Sequence, residues 1–362
     1  MKNVFGNSIT ITLFGESHGP EIGAVLDGVA PGLEVDIDFI CKQLEKRKPH
    51  GKISTKRKEA DEPRIVSGVF EGKTTGTPIC ILFENQNTRG KDYAKTKDLM
   101  RPGHADYTAI LKYHGFADYR GGGHFSGRIT TPIVAVGAIL IHALEKKGIF
   151  IGSHIKKCGP MEDKPFTDYA KEIAEVNDKI FPVLDEEKAE EMRTYMETVA
   201  AEGDSVGGIL ETVVTGLPAG VGEPWFDTME SLLAHALFSV PAVKGVEFGE
   251  GFAFADMKGS QGNDSFEVRD GQVVTKTNHN GGINGGITNG MPVCFQTVVK
   301  PTASIYKKQD TINVQTMTNE VLQIEGRHDP AIIHRARVVV DSMTAIVLAD
   351  MLAVRYGTDW LK

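Results

Sequence analysis

The chain carries one pattern twice, and this repetition limits the folds open to it. "GESHGPEIGAVLDGVAPG" starts at Gly15 and reaches a second glycine turn at Gly28, while "GDSVGGILETVVTGLPAG" starts at Gly203 and reaches its turn at Gly216. Each reads Gly-acid-Ser-x-Gly, then a β-like apolar run, then a Gly/Pro turn. Each is followed by a helix-spaced segment, 36–47 and 227–238, and then by a similar strand, "SGVFEG" at 67–72 and "KGVEFGEG" at 244–251. An ordered series of matches points to a duplicated structural unit, and such pairs usually pack about a pseudo-twofold axis around one core. The expectation is therefore a single domain over residues 1–362, with repeat units near 15–72 and 203–251, although length alone would suggest two or three domains.

Periodicity fills in the elements. Residues 4–14 and 21–29 read as strands and 64–85 as a hairpin or strand pair. Residues 36–47 read as a helix with Asp36 or Asp38 as its cap; 106–116, 132–147, 184–201 and 341–356 also read as helices. "PIVAVGAILIHAL" at 132–144 is short of the roughly 20 residues a bilayer span needs and reads as a buried helix. The start, "MKNVFGNSIT", has no apolar secretory core. Cys41, Cys80, Cys158 and Cys294 show no metal-type spacing, so no metal is expected. Reduced buried thiols in a cytoplasmic protein without membrane partners are the reading that follows.

A net charge of −8 argues against nucleic-acid binding. Positive charge is nevertheless dense in "EKRKPHGKISTKRKE" at 45–59. That segment reads either as a solvated loop or as a cationic flap over a multiply charged anion. Arg101, Arg120, Arg128 and Arg327, all in glycine- or histidine-bearing stretches, favour the flap.

The second copy of the repeat has Val206 where the first has His18. The turn therefore does not need the imidazole, and His18 reads as a chemical residue, histidine being the side chain suited to proton transfer near neutral pH. "RPGHADY" supplies His104 beside Arg101, with Asp106 as a possible helix cap. "YRGGGHFSGR" (119–128) combines three glycines with His124, Ser126 and Arg128, a composition that lets backbone N–H groups approach phosphate. "GGINGGITNG" (281–290), "VVKPTASI" (298–305) and "GRHDP" (326–330) are further candidate anion loops. The dinucleotide fingerprint is missing, and "SGVFEGKT" is out of register for a phosphate-binding loop.

Taken in order, "GESHG", "RPGHADY", "RGGGHFSGR", "AVKGVEFGEGF", "GGINGGITNG", "KPTASI" and "GRHDP" resemble the chorismate synthase family almost end to end. The resemblance implies an α+β fold, a β-α-β sandwich with helices between two antiparallel sheets, assembled as a homotetramer. It implies a lyase that converts 5-enolpyruvylshikimate 3-phosphate to chorismate with reduced FMN and no net redox change. By position, His18 would protonate the departing phosphate and His104 the reduced flavin, while Asp329, with Ser17 nearby, would assist the proton relay from flavin N5. Arg47, Arg101, Arg128 and Arg327 would hold substrate anions, with Arg327 also near FMN. The FMN contacts would be His124, Phe125 and Ser126, Pro241 and Ala242, Gly285, and Lys300, Pro301, Thr302, Ala303 and Ser304. Some members reduce their own flavin with NADPH, and Arg47 and Lys52 fall where its contacts are proposed. Many members have Arg-Ser-Ser where this chain has His124-Phe125-Ser126, so Phe125 contributes at most packing; many also have arginine in place of Lys52.

Overall fold

The computed structural model describes residues 2–51, 53–54, 60–86, 97–324 and 329–362. Its first half carries β1 (Val4–Phe5), β2 (Thr10–Gly15), β3 (Glu21–Asp27), α1 (Ile37–Arg47), β4 (Arg64–Ser67), the short pair β5 (Val69–Phe70) and β6 (Lys73–Thr74), β7 (Ile79–Glu84), α2 (Asp106–Tyr113) and α3 (Thr130–Lys146). The second half continues with β8 (Phe150–Cys158), β9 (Met161–Glu162), α4 (Tyr169–Asp178), α5 (Glu186–Ala201), β10 (Gly208–Thr215), α6 (Met229–Leu237) and β11 (Val243–Phe248). It closes with α7 (Gly259–Gly262), the hairpins β12–β13 (Phe266–Arg269, Gln272–Thr275) and β14–β15 (Ile283–Asn284, Ile287–Thr288), β16 (Val293–Val299), the hairpin β17–β18 (Gln309–Asn313, Thr318–Leu322) and α8 (Ile333–Tyr356).

Two five-stranded antiparallel sheets organise these elements, one in the order β1-β2-β3-β7-β4 and the other β11-β16-β10-β8-β9. The fold is α+β. Strand alternation decides which face is buried: Ile22, Ala24 and Leu26 on β3, and Ile79, Ile81 and Phe83 on β7, are fully buried, as a period of two requires. Helix α3 packs on β3, β7 and α8, and α8 packs on β8 and β10. The two helices meet closely at Gly137, where a Cβ would lie 2.3 Å from Ser342 Cβ.

Several boundaries depart from expectation for physical reasons. The predicted strand 4–14 is split, because the backbone N–H groups of Asn7, Ser8 and Ile9 donate to the Asp350 carboxylate instead of to a neighbouring strand. The closing helix starts at Ile333 rather than Asp341; buried on nearly every side, it has no polar stripe to mark its first turns. Asp36 caps α1 through Phe39 N, as expected. Asp106 is not a cap: the residue before α2 is Ala105, and the Asp106 carboxylate is used elsewhere. The stretch Gly127–Lys146 is long and apolar enough to cross a membrane by length and composition, and 89% of its apolar window is buried inside the protein.

Candidate functional site

A cavity of about 1030 Å³ opens where β2, the C-terminal ends of α1 and α6, and the N-terminal ends of α3 and α8 converge. Helix N-termini favour anions, and the wall adds Arg47, Arg101, Arg128, Lys300 and Arg335. Apolar side chains, among them Ile11, Leu13, Phe238, Val339 and Met343, line the remainder. Two buried polar atoms on this wall, Arg47 Nε and Thr302 Oγ1, have no hydrogen-bond partner among the described residues. Buried polar atoms of this kind are normally satisfied, and a polar ligand in the cavity would satisfy these two.

The loop 120–125 explains the three glycines of "YRGGGHFSGR". Gly121, Gly122 and Gly123 all adopt left-handed φ, +59°, +84° and +53°, which L side chains rarely accept. The loop lies against "GESHG": Ser17 N donates to Gly123 O (3.1 Å), Ser17 Oγ donates to the carbonyls of Arg120 and Gly121 (both 3.2 Å), and His124 Nδ1 donates to Gly15 O (2.8 Å). Ser17 Oγ also meets His18 Nδ1 at 3.0 Å. A hydroxyl whose proton is on a carbonyl accepts from Nδ1–H, which leaves the lone pair of the neutral ring on His18 Nε2. A Cβ on Gly121 would sit 2.2 Å from His18 Cε1. Gly121 is the lining residue; Ser17 and His18, both buried, stand in the layer behind it. His18 is not itself among the described lining residues and lies directly against Gly121, which is.

His104 is on the wall itself. Its Nδ1 is 2.7 Å from Asp106 Oδ1, and Arg101 places Nε and Nη2 2.7 Å from the two oxygens of the same carboxylate. Burial works against the charge on Asp106, but bonds from Arg101 and His104 prevail and hold its carboxyl well below the usual carboxylate range. An ionised Asp106 only accepts, so His104 carries its proton on Nδ1 and presents Nε2 toward Gly122. A Cβ on Gly122 would lie 3.4 Å from that nitrogen.

The segment 203–207 braces another part of the wall. Ser205 Oγ donates to Thr302 O (2.7 Å) and Val206 N to Pro330 O (2.8 Å). This braces Lys300 to Ser304, all of which line the cavity; Lys300 Nζ donates to Gly103 O, and its N donates to Ala242 O at 2.9 Å. Pro241 and Ala242 line the cavity, as do His124, Phe125 and Ser126. Phe125 packs edge-on against Tyr113 at 6.0 Å. Asp329 lines the wall and pairs with Arg335 at 2.6 Å. Gly285 is not among the described lining residues; it turns the β14–β15 hairpin. Lys52 and Arg327 lie outside the described residues.

The flap reading needs revision at its start. Lys46 and Arg47 belong to α1 and are buried, so they are not part of a loop; the following Lys52 and residues 55–59 lie outside the described residues. Sequence reasoning missed Asp61 and Arg335. Asp61 Oδ2 accepts from Arg47 Nη2 (2.8 Å), and its Oδ1 accepts from Arg128 Nη1. Arg335 Nε donates to Arg47 O (2.7 Å). Neither residue has a local motif; their roles arise from contacts between distant segments.

Residues 9–353 match the sequence model described as Chorismate synthase. The chorismate synthase of Pyrococcus abyssi is 48% identical over 350 residues, covering 97% of this chain and 97% of its own length. That of Dehalococcoides mccartyi strain BAV1 is 46% identical over 360 residues, covering 99% of this chain and 98% of its own. A solved structure described as "Crystal Structure of Chorismate Synthase" superposes with a TM-score of 0.76 at 28% identity, covering 98% of this chain and 94% of that one. With near-complete coverage in every comparison, the chain belongs to the chorismate synthase family.

Proposed function

We infer that this chain is a lyase that converts 5-enolpyruvylshikimate 3-phosphate to chorismate. In this 1,4-anti elimination the C3–O bond breaks, phosphate leaves with the electron pair, and a hydrogen leaves C6. The observation that carries the reading is that the family-matching residues Arg47, Arg101, His104, 124–126, Arg128, 300–304 and Asp329 line one cavity. The substrate has a phosphate and two carboxylates, which suits the cationic wall. The mixed apolar and cationic lining, with unpartnered Arg47 Nε and Thr302 Oγ1, also fits a flavin nucleotide. Reduced FMN, when bound, supplies the transient electron density that helps phosphate depart from a ring whose lost hydrogen is not acidic.

The remaining work falls to the chain's own residues. Arg47, Arg101 and Arg128 bind and orient the anions by charge-assisted bonds, and Arg327 is assigned the same task by position. His18 gives a proton from Nε2 to the departing phosphate. His104, fixed by Asp106, holds a proton at Nε2 for the reduced flavin, held by 124–126, 241–242 and 300–304. Asp329, with Ser17, assists removal of the second proton. Gly285 contributes to flavin binding only if its hairpin, or that of a neighbouring copy, reaches the cavity. We read the flavin as arriving reduced; were the chain instead to reduce its own flavin, NADPH would be the reductant, held at Arg47 and Lys52. The protein on this reading is a cytoplasmic homotetramer with no nucleic-acid or membrane partner.

The same inference covers the fold: one domain, helices between the two sheets, and an internal duplication. In its support, the order β2-β3-β7-β4 maps onto β8-β10-β16-β11, with α1 matching α6 and α3 matching α8. Ser17 N donates to Gly123 O just before α3, and Val206 N donates to Pro330 O just before α8.

The test is anaerobic incubation of the protein with the substrate and photoreduced FMN, without NADPH. Phosphate and chorismate form with reduced but not oxidised flavin; no product with reduced flavin refutes the reading.

A further inference from the structure

We propose that Asp61 is a positioning residue, a buried counter-anion that fixes Arg47 and Arg128 as one anion-binding unit on the cavity wall. This rests on the substrate reading above. The Asp61 side chain is fully buried, and those of Arg47 and Arg128 are 7% and 4% exposed. Two guanidinium charges cannot be buried side by side without compensation. The two carboxylate oxygens divide between them, Oδ2 to Arg47 and Oδ1 to Arg128, so a single carboxylate sets the separation of both forks. Arg128 is oriented further by Asn85 Oδ1 (3.1 Å), Glu84 O (3.1 Å) and Thr131 Oγ1 (3.2 Å). For Arg47, Asp61 is the partner of the guanidinium among the described residues, and Nε remains unsatisfied.

The charge balance matters as much as the geometry. The cluster Arg47, Arg128, Arg335, Asp61 and Asp329 keeps one net positive charge, enough to attract an anion without leaving mutually repelling cations on an empty wall. Burial alone would push the Asp61 carboxyl up, but Arg47 and Arg128 together hold it below its usual range. Asp61 therefore stays ionised across the working pH. It also sits in the left-handed region at φ +51°, a conformation aspartate tolerates better than most residues.

The experiment is a double-mutant cycle. Asp61→Asn keeps the shape and removes the charge. With folding checked by thermal melting, kcat/KM for the phosphate substrate falls by about 10²-fold, the scale of a misplaced binding group. In an Arg128→Lys background the same change costs much less, because the two residues act as a unit. Calorimetric Kd values for the substrate follow the same non-additive pattern. If Asp61→Asn does not fold, Asp61→Glu replaces it; the charge is kept, the forks are displaced, and kcat/KM falls by at least about 10-fold with the same non-additivity. Wild-type kcat/KM in a folded Asp61 variant, or equal losses in both backgrounds, overturns the proposal alone. A wild type that neither binds nor turns over the substrate overturns the functional reading, and this proposal with it.

Discussion

Gly121→Ala tests the link between the glycine loop and the buried imidazole. The new Cβ would lie 2.2 Å from His18 Cε1, 2.4 Å from His18 Nδ1 and 2.8 Å from Ser17 Oγ. Carbon contacts settle near 3.5–4.0 Å, so the imidazole must retreat by more than about 1 Å. The backbone adds its own cost, because φ at Gly121 is +59° and an L side chain there costs roughly 1–2 kcal/mol. Overpacking a filled site adds about 1–3 kcal/mol, for a total of about 2–5 kcal/mol of stability. A displacement of this size at a proton donor lowers turnover by about 10²-fold. The assay is anaerobic phosphate release with reduced FMN, normalised to folded protein from a thermal melt. Gly72→Ala is the control: its φ is +73°, but nothing lies within 4 Å of the added Cβ. It loses only the backbone term, about 1–2 kcal/mol, and keeps full turnover per folded molecule. A folded Gly121→Ala protein with wild-type turnover would show that the position of His18 is irrelevant, and the reasoning would fail.

Val206, the counterpart of His18, is buried in the main core and is not among the described lining residues. Val206→Ala therefore costs about 1–3 kcal/mol of stability, measured by denaturant melting, with turnover per folded molecule unchanged; a large loss of turnover contradicts the division of labour between the two repeats. Lys46 is buried on α1 beside Arg337, and burial followed by repulsion from Arg337 lowers its ammonium pKa to about 7. Between about pH 7 and its ordinary value near 10.4, the unfolded chain binds more protons than the folded one, so stability rises with pH across that window. Lys46→Met removes this rise and melts higher than wild type at neutral pH; an unchanged pH slope in the variant rules the assignment out.

The sequence echo was legible because its glycines recur in order, and the duplication it suggests is part of the proposal above. Tight turns and close approaches leave a mark in sequence that ordinary core positions do not, which is why Gly15–Gly19 and Gly203–Gly207 could be aligned. The arginines were legible as a class, since their motifs carry glycine and histidine neighbours. Asp61 was not, because its importance comes from bonds to Arg47 and Arg128, made only when α1 and the start of α3 converge. Asp106 was misread as a cap for the same reason: the short spacing to α2 suggested a local role, while Arg101 and His104 claim both oxygens. The early start of α8 was hidden by burial on all sides.

The central claim is that the chain catalyses an elimination in which reduced flavin is regenerated in each cycle. Its most direct test is the ratio of phosphate released to FMN reoxidised, measured anaerobically with flavin far below substrate. The account predicts many phosphates per flavin and a flavin that is still reduced when substrate is exhausted. One flavin oxidised for each phosphate released would contradict it.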